Sequence, residues 1–273
     1  MNHTGANPST NAVAIIPARY ESTRLPGKPL LPLAGKSLVL WVVERALAAR
    51  QVVRAIVATD DERIFEVVTG AGYEAVMTRG DHPSGTDRVA EVAHSLARDQ
   101  IIVNVQGDEP LISPQTIDAA IDALTNSDEV QIATTCEPII NPAEVTDPNV
   151  VKVVTDTNGR ALYFSRSPVP FPEASVRRHG SMAAALVNEP QLLAQFKKHT
   201  GLYVYRREFL LEFASWPPSA LEQAEKLEQL RALERGVRIK VVAAASASIG
   251  VDTAHDLERV RAILEQEVTM IAT

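Results

Sequence analysis

The chain has 273 residues, 45% of them hydrophobic, and its 27 basic and 34 acidic side chains give a net charge of −7. This length and composition suffice for one large α/β domain, or two modest ones, with a sizeable core. The acidic balance argues against a nucleic acid or a membrane surface as the main partner, so an anionic substrate would need a local basic pocket. Because Cys136 is the single cysteine, an intrachain disulfide is excluded.

Residues 1–11 are polar and contain neither the basic start nor the apolar stretch of a signal peptide. We therefore expect a disordered tail over these residues and a cytoplasmic location for the protein. The apolar run 38–43 is far shorter than a membrane span, so we expect no association with a membrane.

A loop with three cations follows the first apolar strand, which we predict over residues 13–16. The cations are Arg19, Arg24 and Lys28, and Gly27 together with nearby prolines restrains the backbone around them. An arginine can hold a phosphate through two parallel hydrogen bonds and a lysine acts as a point charge, so this loop is suited to a triphosphate. Taken alone, the same residues could also form a solvated basic turn.

Through the first half of the chain, short β-branched runs alternate with helical patterns. The pairs of predicted strand and helix are 13–16 with 38–49, 55–58 with 61–69, and 101–105 with 113–124. This alternation predicts a mostly parallel sheet with helices on both faces, in which ligands bind beyond the carboxyl ends of the strands. Four polar loops follow predicted strands and should share that edge: 19–28, 59–60, 78–79 and 106–108.

Two aspartates follow apolar strands and are candidate ligands for Mg²⁺, which prefers oxygen donors. Asp108 lies in the motif Asn-Val-Gln-Gly-Asp-Glu-Pro at 104–110, where Glu109 fits a turn or a helix cap better than a ligand. Asp252 follows a short apolar run and precedes the last predicted helix. The sequence leaves open whether Asp252 binds a metal or caps that helix.

The second half begins with a predicted excursion over residues 150–210. Two β-rich runs within 150–166 flank an Asn158-Gly159 turn, which favours a hairpin, and a proline-rich, irregular segment follows to about residue 193. We expect this excursion to cover the site or to join two subunits. Beyond its last strand, 201–205, we predict a helix capped by Ser219 and ended by Gly236, a strand 237–243 and a helix 254–267.

Several common enzyme motifs are missing from the sequence. Residues 35–37 read Gly-Lys-Ser, but Leu30 stands where a P-loop requires glycine. There is also no dinucleotide fingerprint, zinc-protease helix or serine nucleophile elbow, and the six histidines are scattered. Oxidoreductase, metalloprotease and serine hydrolase functions therefore lose support.

Six motifs in chain order resemble those of the 3-deoxy-manno-octulosonate (Kdo) cytidylyltransferases, also called CMP-Kdo synthetases. They are P-A-R-Y-E-S-T-R-L-P-G-K-P-L at 17–30, V-A-T-D-D at 57–61, M-T-R-G-D-H-P-S-G-T-D-R at 77–88, N-V-Q-G-D-E-P at 104–110, A-L-Y-F-S-R at 161–166 and G-V-D-T at 250–253. The resemblance covers residues 13–267. Its first motif is shared by sugar-acid cytidylyltransferases in general, whereas the ordered set is much more specific.

The resemblance implies one nucleotidyltransferase-type α/β domain over residues 12–273, with a mostly parallel, mixed sheet flanked by helices. A smaller β-rich excursion at 150–210 would serve sugar binding and dimerisation. It further implies a cytoplasmic, Mg²⁺-dependent homodimer that joins CTP and Kdo into CMP-Kdo and pyrophosphate for lipopolysaccharide biosynthesis. The segment 173–193 departs from the expected pattern in length and composition.

By the same resemblance, each site residue receives an expected role. The catalytic residues would be Arg24, Lys28, Asp108 and Asp252, the two aspartates holding the metal. The CTP-binding residues would be Ala18, Arg19, Arg24, Lys28, Arg79, Ser84 and Asp108, with Arg79 and Ser84 near the cytosine. The sugar-binding residues would be Gln106, Arg166, His199, Tyr203, Glu228 and Gln229, with Arg166 and His199 facing the sugar carboxylate.

Alternatives to these roles stay open. Without the resemblance, Tyr203 could belong to the core, and Glu228 and Gln229 could form a solvated helix face. The pocket could serve another sugar acid, such as N-acetylneuraminate. From a different functional class, the chain could be a nucleotide-binding regulator without catalytic activity.

Overall fold

The structure, a computed structural model, describes residues 12–21 and 25–271. The tail expected over residues 1–11 and the cation Arg24 therefore lie outside the described residues. The strands are β1 (Ala12–Ala18), β2 (Pro32–Leu33), β3 (Lys36–Ser37), β4 (Val52–Thr59), β5 (Glu74–Met77), β6 (Ile101–Asn104), β7 (Ile132–Pro138), β8 (Lys152–Thr155), β9 (Ala161–Ser165), β10 (Lys197–Arg206) and β11 (Ile239–Ala243). The helices are α1 (Leu38–Leu47), α2 (Glu62–Gly70), α3 (Gly85–His94), α4 (Pro114–Thr125), α5 (Pro142–Thr146), α6 (Glu173–His179), α7 (Met182–Asn188), α8 (Arg207–Ser215), α9 (Ala220–Glu225), α10 (Gln229–Glu234) and α11 (Ala254–Ile271).

The central sheet of the described chain has the strand order β11-β7-β10-β6-β1-β4-β5, and β8 and β9 extend it beside β10. Strands β5, β4, β1 and β6 are parallel, and β11 is parallel to β7. Strand β10 runs antiparallel to both of its main neighbours, β6 and β7. The predicted mixed, mostly parallel α/β sheet is therefore confirmed.

Helices cover both faces of this sheet, as strand β1 illustrates. Its residues alternate between two cores: Ala14 and Ile16 pack in the core that includes α1, α4 and α11, whereas Val13 and Ile15 pack in the core that includes α3 and α8. Successive side chains of a strand point to opposite faces, and a sheet covered on both faces needs apolar residues at every position. The continuous apolar run of β1 is thus explained.

The segment predicted as a β-rich excursion contains helices as well as strands. Strands β8 and β9 form the predicted antiparallel hairpin. Helices α6 and α7 follow, and α7 packs in a third, smaller core that includes Val145, Leu192 and Phe196. The segment then returns as β10, which lies in the middle of the main sheet. Residues 197–206 are consequently part of the central scaffold and not of a peripheral lobe.

The single helix predicted between Ser219 and Gly236 is two helices, α9 and α10. The chain breaks at Lys226, whose backbone adopts a left-handed conformation with φ 55°. Ser219 is the predicted cap: its hydroxyl accepts a hydrogen bond from the backbone N–H of Glu222, while the Glu222 side chain accepts one from the Ser219 N–H. This capping box holds the first turn of α9.

Ser219→Ala should lower the free energy of unfolding by about 1 kcal/mol, because it leaves N–H groups of the first turn of α9 without a side-chain acceptor. Urea unfolding of both proteins measures this difference. Ser215→Ala is the matched control, since the exposed Ser215 hydroxyl only donates to the carbonyl of Glu212. Equal losses of stability in the two variants would contradict a capping role for Ser219.

No helix in the part of the chain that the structure describes is both long enough and apolar enough to cross a membrane.

Candidate active site

A cleft of about 340 Å³ opens at the carboxyl edge of the parallel strands. The loop after β1 and the loop after β6 form two of its walls, because these neighbouring parallel strands end at the same edge. The cleft brings together five of the predicted CTP-binding and metal residues, Ala18, Arg19, Lys28, Asp108 and Asp252, and one predicted sugar-binding residue, Gln106.

Lys28 joins the two predicted metal ligands. Its ammonium lies 2.7 Å from Oδ2 of Asp108 and 3.2 Å from Oδ1 of Asp252. Burial by itself would lower the pKa of Lys28, but the two carboxylates outweigh it and raise the pKa above its ordinary value. Lys28 is therefore a permanent cation at the point where the two acidic side chains converge.

The alternative role of Asp252 as a helix cap is filled by its neighbour. The hydroxyl of Thr253 accepts a hydrogen bond from the N–H of Asp256, and the Asp256 carboxylate accepts one from the N–H of Thr253. Thr253 and Asp256 thus form the reciprocal cap of α11. The Asp252 carboxylate is directed instead at Lys28.

Close backbone contacts fix the loop that carries Asp108. A Cβ atom added to Gly107 would lie 2.6 Å from the carbonyl oxygen of Pro17, so only glycine fits against β1 at this position. The carbonyl of Asp108 accepts a hydrogen bond of 2.9 Å from the N–H of Val251. Glu109 adds a second link between the two loops, because it accepts a hydrogen bond from the Ser248 hydroxyl.

Glu109 occupies the buried side of this junction. Burial raises its pKa to about 7, although the Ser248 hydroxyl acts in the opposite direction. The added Cβ of a residue at position 250 would come within 3.3 Å of Oε1 of Glu109, so the two loops approach closely there. The prediction that Glu109 serves the loop structure agrees with these contacts.

The donor set at this junction fits a hard divalent cation. Asp108 and Asp252 offer carboxylate oxygens directed at one point, which is the ligand type that Mg²⁺ prefers. Among the described residues, no group of three acidic, histidine or cysteine side chains could hold a metal ion. Phosphate and water oxygens would therefore complete the coordination, as is usual for Mg²⁺ at nucleotide sites.

Arg19, Arg79 and Ser84 lie in different surroundings. The Arg19 guanidinium donates a 2.7 Å hydrogen bond to the carbonyl of His82, so the cation loop is tied to the 77–88 motif. Arg79 is mostly exposed and lies near Glu91, at a neighbouring depression of about 420 Å³. Ser84 caps α3 and contacts Glu228 at a third depression, of about 630 Å³. Only Arg19 of these three lines the cleft with Lys28.

Glu228 and Gln229 are not a solvated helix face. The Glu228 carboxylate accepts hydrogen bonds from the hydroxyls of Ser84 and Thr86, and its burial raises its pKa. The side-chain Nε2 of Gln229 is buried and has no hydrogen-bond partner among the described residues. Buried amides are normally paired, so this donor differs from the usual pattern.

His199 and Tyr203 are neighbours because β10 contains a bulge. Thr200 lies opposite Thr135 and Tyr203 lies opposite Thr134, so two extra residues, Gly201 and Leu202, are accommodated between them. Four residues of a regular strand span about 13 Å. The rings of His199 and Tyr203 are nevertheless 5.2 Å apart. Tyr203 also stacks on Tyr205 at 5.8 Å, so the ring belongs to an aromatic row.

Gln106 lies against this bulge, which connects the two groups of predicted residues. A Cβ at Gly201 would come within 2.9 Å of Cγ of Gln106. Gln106 itself precedes the Gly107-Asp108 turn and lines the cleft. The bulge of β10 thus borders the cleft that contains Asp108.

The guanidinium of Arg166 is engaged by main-chain carbonyls. It donates hydrogen bonds of 2.7 Å and 2.8 Å to the carbonyls of Glu225 and Pro148, and a longer one to that of Lys226. The Glu225 carboxylate accepts the N–H of Arg166. In this arrangement the side chain joins the β9 end to the break between α9 and α10, and it does not present a free cation.

The imidazole of His199 is electrically neutral in this structure. Burial lowers its pKa to about 3, so the imidazole is neutral at physiological pH. An unfolded histidine has a pKa of about 6.5. The unfolded state therefore binds a proton between pH 6.5 and pH 3 that the folded state does not, and acidification through this range destabilises the fold.

His199→Gln should remove part of this acid sensitivity. At pH 5, the wild-type histidine should cost about 2 kcal/mol of stability relative to neutral pH, and glutamine cannot titrate. Urea unfolding at pH 5 and pH 7 gives, for the wild type and for His199→Gln, the change in unfolding free energy between the two pH values. His94→Gln, which replaces an exposed histidine on α3, is the control. A His199→Gln protein whose stability falls between pH 7 and pH 5 as much as that of the wild type would contradict a half-buried, neutral His199.

Sequence reasoning missed the side chains that position these groups. Thr86, Thr134 and Glu225 contact the predicted site residues Glu228, His199 and Arg166 from distant parts of the chain. A lone hydroxyl or carboxylate carries no sequence signature for such a contact. The sequence does show the glycines at 107, 201 and 250, and each allows its backbone to lie close to a neighbouring residue at the site.

The fold and the cleft agree with known proteins. The cytidylyltransferase family model matches residues 13–239. The 3-deoxy-manno-octulosonate cytidylyltransferase of Geobacter sulfurreducens is 54% identical over 252 residues, which cover 92% of this chain and 98% of that protein. The protein of the same name from Syntrophotalea carbinolica is 51% identical over 251 residues, covering 92% of this chain and 97% of the relative.

A solved structure of CMP:2-keto-3-deoxy-manno-octonic acid synthetase complexed with CTP is similar throughout. The TM-score is 0.84 at 43% sequence identity, and the match covers 94% of this chain and all of that one. The central sheet, the ordered motifs and these matches agree along most of the sequence. The chain belongs to the cytidylyltransferase family, and within it to the 3-deoxy-manno-octulosonate cytidylyltransferases.

Proposed function

We propose that this protein transfers the cytidylyl group of CTP to Kdo and releases pyrophosphate, in lipopolysaccharide biosynthesis. The observation that carries the proposal is the convergence of Asp108 and Asp252 on Lys28 in a cleft at the carboxyl edge of the sheet. Relatives about half identical to this chain, and named for Kdo, support the substrate. A purely nucleotide-binding regulator would not need two convergent carboxylates.

In the proposed reaction, the anomeric hydroxyl of Kdo attacks the α-phosphorus of CTP and pyrophosphate leaves on the opposite side. Catalysis then consists mainly of alignment and charge neutralisation, with no protein nucleophile. Arg19 and Lys28 would bind the triphosphate, and Arg24, Ala18, Arg79 and Ser84 keep the CTP-binding roles that the sequence predicts. Lys28 would stabilise the charge that develops on the leaving pyrophosphate.

We propose Mg²⁺ as the metal of this site, with Asp108 and Asp252 as its protein ligands. When bound, Mg²⁺ would neutralise phosphate charge and polarise the phosphorus that is attacked. In the structure, Lys28 lies between the two carboxylates and offsets their repulsion. With the carboxylates bound to a metal, its ammonium would be available to a phosphate oxygen of CTP.

For the sugar we propose the surface formed by Gln106, His199, Tyr203, Glu228 and Gln229. The Glu228 carboxylate accepts hydroxyl hydrogens in the structure, and the buried Gln229 amide has an unused donor. A polyhydroxylated sugar acid supplies both kinds of partner. Arg166 remains the predicted cation for the sugar carboxylate, and this role requires it to exchange a carbonyl partner for the substrate.

We further propose a homodimer and a cytoplasmic location. Four large apolar side chains in the stretch 140–187 are more than half exposed: Ile140, Leu162, Phe171 and Val187. Burial of such side chains between two copies would favour association. The cytoplasmic location is supported by the single, buried and unpaired Cys136.

Pyrophosphate release tests the proposed function. Purified protein is supplied with CTP and either Kdo or N-acetylneuraminate, each with and without Mg²⁺. Release with Kdo alone, and only with the metal, is the expected result. Release with N-acetylneuraminate would replace the proposed substrate, and CTP binding without release in either mixture would favour the regulator.

A further inference from the structure

A chain of hydrogen bonds leads from the bulge of β10 to the imidazole of His199. The buried hydroxyl of Thr134, on β7, lies 2.7 Å from the carbonyl oxygen of Leu202, one of the two extra residues of the bulge. The same hydroxyl lies 2.9 Å from Nε2 of His199. Thr134 is fully buried, so no water competes for either contact.

The chemistry of these groups determines where the protons are. A carbonyl oxygen can only accept, and a threonine hydroxyl has one hydrogen to donate. That hydrogen is committed to Leu202, so the Thr134 oxygen must accept from His199, and Nε2 of the imidazole must carry a proton. In a neutral imidazole the other nitrogen, Nδ1, is then a bare acceptor.

The surroundings of the ring agree with a neutral imidazole. Phe164 packs edge-on against His199 at 5.1 Å, and Tyr203 lies against it at 5.2 Å. Burial among these rings lowers the pKa of His199 to about 3. No hydrogen bond to Nδ1 is found among the described residues, so this nitrogen has its lone pair available.

We infer that Thr134 is a positioning residue that holds His199 as the neutral Nε2–H tautomer, so that Nδ1 accepts a hydrogen bond from a hydroxyl of the sugar. This inference rests on the proposed function for the identity of the ligand. It changes the role that the sequence predicts for His199, because a bare nitrogen repels a carboxylate and attracts a hydroxyl hydrogen. Recognition of the sugar carboxylate is then left to cationic or N–H donors elsewhere.

The tautomer can be read directly from the intact wild-type protein. Long-range ¹H–¹⁵N spectra of histidine-labelled protein at pH 7 distinguish the two neutral tautomers and the imidazolium, and His199→Gln identifies the signals of His199 among the six histidines. The expected spectrum shows a protonated Nε2 and an unprotonated Nδ1. An Nδ1–H tautomer or an imidazolium would overturn the inference without any assay of activity.

Substitutions at position 134 test the coupling to the sugar. Thr134→Val keeps the shape but removes the hydroxyl; we expect a mixture of tautomers and a KM for Kdo raised about tenfold, the value of one hydrogen bond, with little change in the KM for CTP. Thr134→Ser, which keeps the hydroxyl, should show the wild-type tautomer of His199 and the wild-type KM for Kdo. Unchanged His199 signals and an unchanged KM for Kdo in folded Thr134→Val would overturn the inference.

Thr135→Val is the matched control. Thr135 is equally buried and lies next in β7, but its hydroxyl contacts that of Thr200 and not His199. It should leave the His199 spectrum and the KM for Kdo unchanged. If the wild type releases no pyrophosphate with Kdo, the proposed function fails. The wild-type spectrum still tests, independently of activity, whether His199 is the Nε2–H tautomer.

Discussion

Asp108→Asn should fold like the wild type and lower the rate of pyrophosphate release from CTP and Kdo by at least about 100-fold. The substitution keeps the size of the side chain but removes one of the two carboxylates that converge on Lys28. Loss of a single well-placed electrostatic contact commonly costs this much in kcat. The variant should also need a higher Mg²⁺ concentration for half-maximal rate, because asparagine is a neutral ligand.

The matched control for this substitution is Asp122→Asn. Asp122 lies near the end of α4 and accepts a hydrogen bond from the Gln51 side chain, just before β4 begins, so it lies near the opposite edge of the sheet. Its variant should keep wild-type turnover. Thermal unfolding of both variants shows whether the fold is intact. Normal turnover in folded Asp108→Asn would remove Asp108 from the mechanism.

Gly107→Ala should have the second largest effect, through the backbone. The new methyl group would lie 2.6 Å from the carbonyl oxygen of Pro17, which belongs to the central strand β1 and cannot move freely. The loop must shift instead, and it takes Asp108 with it. A displacement of about 1 Å can reduce turnover about 100-fold, and forced overpacking costs about 1–3 kcal/mol of stability.

Gly85→Ala provides a control at the same proline. The added Cβ would lie 3.6 Å from Cγ of Pro17, which is an ordinary van der Waals contact. Stability should then change by no more than about 0.5 kcal/mol. Turnover and urea unfolding are measured for both variants. Equal stability of Gly107→Ala and Gly85→Ala would show that the contact with Pro17 is not tight in solution.

Much of the parallel half of the fold could be predicted, because its strands and helices alternate along the chain. Strands β1, β4 and β6 and helices α1, α2 and α4 lie where the apolar periodicity placed them. The position of β10 could not be predicted. Its residues read as a strand, but nothing local indicates that they pair with β6 and β7 at once.

The split between α9 and α10 was missed for a physical reason. No glycine or proline interrupts residues 220–235, and a lysine seldom adopts the left-handed backbone conformation that breaks the helix at Lys226. Arg166 contacts the carbonyls of Glu225, the last residue of α9, and of Lys226, and these contacts stabilise the break. Such tertiary contacts override the local preference of residues 220–235 for one continuous helix, which is the part that the sequence reveals.

The candidate site also has features that the sequence predicts and features that it does not. Lys28, Asp108 and Asp252 follow strand ends or stand in distinctive motifs, and the structure brings them together. The state of His199 was not accessible, because it depends on Thr134, 65 residues away, and on a bulge that only strand pairing reveals. The sequence therefore indicated that Lys28, Asp108 and Asp252 lie close together, but it did not indicate the protonation state of His199.

The place of β10 in the sheet has a consequence for how the polypeptide assembles. Strands β5, β4, β1 and β6 are complete once residue 104 is made, but β7 can join them only through β10, which ends at Arg206. Until then the apolar strand β6 has an unpaired edge, and such edges recruit other chains. A ribosome-bound chain shorter than about 200 residues would need shielding by a chaperone. Premature termination within α6 or α7 should accordingly yield aggregates and not a smaller soluble domain.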